Sequence, residues 1–158
     1  MKQNANQSAH LPRWEELPDF ELYLDQVLSL LDKHLSPFIP CEEPHIVTAS
    51  MINNYVKLQI LPAPVKKKYQ RSHLAQLIAI GMLKQTLPLP VVRKLLGQKP
   101  PADWYNRFCE LLEQAFSNVA EWSCRNDGEI ALEMATLACA SKAAAERLTA
   151  APDDITCL

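Results

Sequence analysis

Glycine is nearly absent from this chain: 3 of 158 residues, against 12 prolines. So few glycines leave little room for left-handed turns or for a loop that cradles phosphate. Neither GxGxxG nor GKS or GKT occurs, which excludes the common nucleotide-binding fingerprints. No run of 18 apolar residues is present, so no membrane span is expected. Residues 1–10 are polar, without the apolar stretch of a secretory signal, and their Gln, Asn and Ser content reads as a disordered start. The five cysteines (Cys41, Cys109, Cys124, Cys139, Cys157) are odd in number, and no pair has CxxC spacing. This pattern predicts reduced thiols and a cytoplasmic location. Cys41 and His45 come nearest to a zinc pair, too weak a set for a structural site, so no metal and no cofactor is expected.

The most informative absence is that of negative charge in the middle of the chain. Residues 48–100 contain no Asp or Glu, yet nine cations: Lys57, Lys66, Lys67, Lys68, Arg71, Lys84, Arg93, Lys94 and Lys99. Residues 1–47 carry −5 and residues 101–158 carry −6, so the overall charge of −2 hides a central block of +9. Such a block attracts polyanions whatever the charge of the whole protein. The competing reading docks it on the acidic flanks or leaves it as a solvated surface.

Long segments of helical period and scarce turn glycine predict a mainly α fold. A proline-punctuated lead-in, Leu11-Pro12-Arg13-Trp14, precedes a helix over 20–35 that Asp19 is placed to cap. Pro37, Pro40 and Pro44 then force a loop. A helix over 48–59, capped by Thr48 or Ser50, gives an apolar face of Met51, Tyr55 and Leu58 with Ile52 and Val56 beside them. Ser50, Asn53, Asn54 and Lys57 recur at i, i+3, i+4 and i+7 and share one polar face. Amides and a cation without an acid suit a major groove, where Asn pairs with the adenine edge and Lys reaches guanine or phosphate. Residues 60–69, with Pro62, Pro64 and Lys66-Lys67-Lys68, read as an extended turn or short β ribbon. A helix opened by Ser72 and running to Gln85 is apolar on most sides and therefore buried, with His73 at its start expected on the surface. A short helix over 87–96 closes at Gly97. Two further helices, from Asp103 to Trp122 and from Glu129 to Thr149, form a C-terminal α-hairpin.

These residues carry two resemblances. Residues 48–97 resemble the winged helix-turn-helix of MerR-type regulators, through Asn54-Tyr55-Val56-Lys57-Leu58-Gln59-Ile60-Leu61-Pro62, a wing, Tyr69-Gln70-Arg71-Ser72-His73-Leu74, and two apolar helices. In those regulators a tight turn precedes the recognition helix; here the connection over 36–47 is long and holds three prolines, and the wing is short. Residues 11–100 are also similar to a bacterial family known only as a domain of unknown function. That likeness rests on Leu11-Pro12-Arg13-Trp14, Leu22-Tyr23-Leu24-Asp25-Gln26-Val27, Met51-Ile52-Asn53-Asn54-Tyr55-Val56-Lys57 and Pro64-Val65-Lys66-Lys67-Lys68-Tyr69.

The expected fold is thus mainly α. A helical domain over 11–100 contains a helix-turn-helix-like module with a short β wing or extended turn, and the α-hairpin occupies 101–158. The expected function is double-stranded DNA binding by a transcriptional regulator. Ser50, Asn53, Asn54 and Lys57 would meet bases, and Lys66, Lys67, Lys68 and Arg71 would meet phosphates. A homodimer is expected through Phe108, Leu111, Leu112, Ala115, Val119 and Trp122. The alternative is a protein-interaction adaptor that keeps a degenerate helix-turn-helix as scaffold. Four scattered histidines and an apolar setting for Cys109 offer no catalytic constellation, so no enzyme is expected.

Overall fold

The computed structural model describes residues 10–39, 45–97, 101–122 and 128–150. The expected disordered start, except His10, lies outside these residues. Six helices follow a short 3-10 turn at Trp14–Glu16: α1 (Leu24–Leu35), α2 (Ala49–Lys57), α3 (Arg71–Leu83), α4 (Leu89–Leu96), α5 (Pro101–Trp122) and α6 (Gly128–Ala150). No β-strand occurs among the described residues, only two isolated antiparallel bridges, Leu22 with Tyr69 and Val65 with Lys68. None of these helices is long and apolar enough to cross a membrane.

α3 is the central element. It buries every residue from His73 to Met82 except Gln76 and packs on α1, α4 and α5. A helix apolar all round has no solvent face to present and belongs inside a core. Gly81 shows how closely its neighbours approach: a Cβ built there would stand 2.7 Å from Leu35 Cδ1 and 3.4 Å from Val47 Cγ2.

Four sequence expectations shift here. The first helix starts at Leu24, not Phe20, because Leu22 exchanges two backbone hydrogen bonds of 2.8 Å with Tyr69 and holds residues 21–23 out of the helix. Tyr23, not Asp19, is the N-cap, and its N–H donates to the Gln26 side chain at 2.9 Å. α3 starts at Arg71 after Gln70, so Ser72 lies inside the helix and does not cap it. His73 is buried, 5% exposed, and not on the surface. Its Nδ1 accepts the Gln70 N–H at 3.0 Å.

The N-terminal lead-in is strapped to α5. Arg13 pairs with Glu113, Trp14 N–H donates to Asn106 Oδ1 at 2.7 Å, and buried Tyr105 and Cys109 complete the contact. Burial pushes the Cys109 thiol up, away from a reactive thiolate. α4, opened by Pro88 and Pro90 and closed at Gly97 with φ +53°, lies against α6, where Lys94 Nζ donates to Thr149 O.

Candidate nucleic-acid interface

Thr48 sets the phase of α2. Its hydroxyl accepts the Met51 N–H at 3.3 Å, which satisfies one of the first-turn donors. From that start Ile52 and Tyr55 point into the core, and Ser50, Asn53, Asn54 and Lys57 are on the solvent side. The four residues therefore share one face, and neither α5 nor α6 covers it. Lys84, at the end of α3, places its Nζ 3.1 Å from Met51 Sδ and adds a cation beside α2. Sequence reasoning did not place it there, because the two residues lie 33 positions apart.

After α2 the chain reverses. Gln59 adopts φ +55°, and Tyr55 O accepts from both Ile60 N and Leu61 N. The buried Ile60 and Leu61 anchor the exit. Next comes a two-residue hairpin: Val65 and Lys68 exchange backbone hydrogen bonds of 3.2 and 2.9 Å around Lys66 and Lys67. Both tip lysines are left-handed, at φ +49° and +64°, as in a type I′ turn. The Leu22–Tyr69 bridge follows directly and fixes the base of the hairpin.

The four expected phosphate contacts separate into two pairs. Lys66 and Lys67 are exposed, and no ion pair among the described residues engages them or Lys57. Lys68 instead meets Glu21 at 2.7 Å, a hydrogen bond that holds its ammonium charged above the ordinary lysine range. Arg71 lays its guanidinium 5.7 Å from the centre of the Trp14 ring and donates to Pro18 O at 3.4 Å.

The expected dimer stripe on α5 is also divided. Leu112 packs against the core, and Phe108 does so while stacking on Trp104 with centroids 5.5 Å apart. Leu111, Ala115 and Val119 face solvent. The side chain of Trp122 lies outside the described residues. Among those residues no group of three His, Cys, Asp or Glu side chains is arranged to hold a metal ion.

No curated protein and no solved structure matches the chain. The model of one family, a domain of unknown function (DUF1836), matches residues 12–117, from the Arg13 strap through the hairpin and into α5, and the chain belongs to that family.

Proposed function

We propose that residues 48–97 act as a MerR-like winged helix-turn-helix and that the protein is a double-stranded DNA binder serving transcriptional regulation. The observation that carries this reading is the exposure of Ser50, Asn53, Asn54 and Lys57 on one face of α2, with no cover from the C-terminal helices. An adaptor that used the module only as scaffold has no need to keep that face open. α2 serves as the recognition helix, with Asn53 and Asn54 toward adenine edges and Lys57 toward guanine or phosphate. Lys66 and Lys67 at the wing tip reach phosphates. Lys68 and Arg71, pre-positioned by Glu21 and Trp14, contribute behind them. One module reads only a few base pairs, so a homodimer through the C-terminal helices doubles the site.

The test is selection of bound fragments from a random DNA pool, followed by fluorescence anisotropy on the selected site. Enrichment of a two-fold sequence is expected. Asn53→Ala should relax discrimination between sites, whereas Lys66→Ala with Lys67→Ala should weaken all sites alike. Failure to bind any double-stranded fragment at low salt would overturn the reading.

A further inference from the structure

α6 is 23 residues long, yet it fully buries none of its described side chains. Between it and the rest of the molecule lies an open groove with a volume of about 530 Å³. Phe38, Met82, Leu87, Leu112 and Phe116 wall one side, and Ala138 of α6 faces them. Phe38 and Phe116 meet edge to face at 5.1 Å, which gives that wall a fixed shape. Space of this size falls in the range of small-molecule sites, roughly 300–1,000 Å³.

The polar groups on the lining are few. Among the described lining residues Lys142 alone is charged, and none is a carboxylate. Its partner Glu146, one turn along α6, is 4.0 Å away, at the limit of an ion pair, and both side chains are substantially exposed. Such a pair is worth little and yields readily to a competing anion. Ser141 and Thr86 add hydroxyls, and Gln85, whose amide nitrogen donates to Gly81 O at 3.1 Å, keeps its carbonyl oxygen as an acceptor. An apolar body with one anionic end complements this arrangement, whereas a cationic amphiphile would be repelled by Lys142.

We infer that the groove between α6 and the α3–α5 core binds a small amphiphilic anion, an alkyl carboxylate whose chain lies among Phe38, Leu87 and Leu112 and whose carboxylate pairs with Lys142. The site is separate from the α2 face, and its test does not depend on DNA binding. The experiment is calorimetric titration of the full chain with decanoate below its micelle concentration, with decanol as the uncharged twin. The expected result is saturable binding of one decanoate per chain, several-fold tighter than decanol. Lys142→Ala should erase that preference and leave decanol binding unchanged. Ala138→Trp should fill the space and abolish both, with helical circular dichroism retained. Should that variant misfold, Ser141→Phe provides the same block from the next turn. The inference is overturned if decanoate shows no saturable binding, or if binding ignores both blocking substitutions. It is equally overturned if decanoate fails to bind and Ala138→Trp turns a dimer into a monomer, for then a second copy of the chain covers this groove.

Discussion

Arg13 and Glu113, 100 residues apart, meet in a two-pronged ion pair: Nη1 to Oε1 at 3.1 Å and Nη2 to Oε2 at 2.6 Å. The same carboxylate accepts the Leu11 N–H at 2.7 Å. Burial alone would raise the Glu113 carboxyl, but these donors outweigh it and hold the group below the ordinary range. Its contribution is therefore present above the unfolded carboxylate pKa and is lost as pH falls through the lower folded value. Glu113→Ala leaves a guanidinium and a part-buried N–H without their acceptor, and the expected loss is about 1–3 kcal/mol by urea denaturation. Arg13→Lys should recover little, since an ammonium cannot bridge both oxygens. Wild-type stability in Glu113→Ala would show that the strap contributes nothing to holding α5.

The hairpin tip sets stability against binding. Left-handed backbone costs a side-chain-bearing residue about 1–2 kcal/mol, and both Lys66 and Lys67 adopt it. A type I′ turn favours Asn-Gly at these positions. Lys66→Asn combined with Lys67→Gly should raise stability by about 1 kcal/mol or more. The same change should weaken DNA binding and flatten the log–log salt slope by about 0.9 for each phosphate that the tip no longer neutralises. Unchanged DNA affinity in this stabilised variant would remove the tip from the interface.

What the sequence made legible was local. Thr48 and the i, i+3, i+4, i+7 spacing were enough to place the polar face of α2, because a cap and a helical period are written within a dozen residues. The course of residues 21–23 outside the helix was hidden, because its cause is a bridge to Tyr69 across the molecule. The fates of Lys68 and Arg71 were hidden for the same reason. The acids segregated in sequence return in space through Glu21, and Trp14 arrives from the lead-in. His73 read as a surface residue because it follows a predicted cap. It is buried because it holds the third position of the core helix and turns its ring edge-on to Tyr69, 5.7 Å between centroids.

His73 makes stability depend on pH. Burial pushes its pKa below the ordinary value near 6.5, and burial does the same to His34. The unfolded chain therefore takes up these protons at a higher pH than the folded one. Stability is full above the ordinary histidine pKa and falls as pH drops through it toward the lower folded values. The urea midpoint should decline between about pH 7.5 and about pH 5.5, the span of a histidine titration. His73→Asn keeps an acceptor for the Gln70 N–H and cannot ionise, so it should remove part of that decline and leave the share due to His34. An identical slope in wild type and His73→Asn would exclude the buried imidazole as the cause.

The proposed dimer makes a different demand on α5 and α6. α6 exposes Leu132 at 65% and Leu148 at 77%, and α5 exposes Leu111 at 49%. A lasting two-fold interface covers upwards of about 1,000 Å² and needs such side chains at its centre. Leu112 is the wrong residue to probe, since it packs on the chain's own core and its loss would unfold rather than dissociate. Leu111→Glu and Leu132→Glu change only solvent-facing positions, so their folding should survive. Light scattering at tens of micromolar should give twice the chain mass of 17.8 kDa for the wild type. One or both substitutions should return the single-chain mass with helical circular dichroism unchanged, because a buried carboxylate facing its symmetry mate is strongly disfavoured. A wild-type mass of one chain at that concentration would leave the DNA reading with a single half-site and remove the dimer from it.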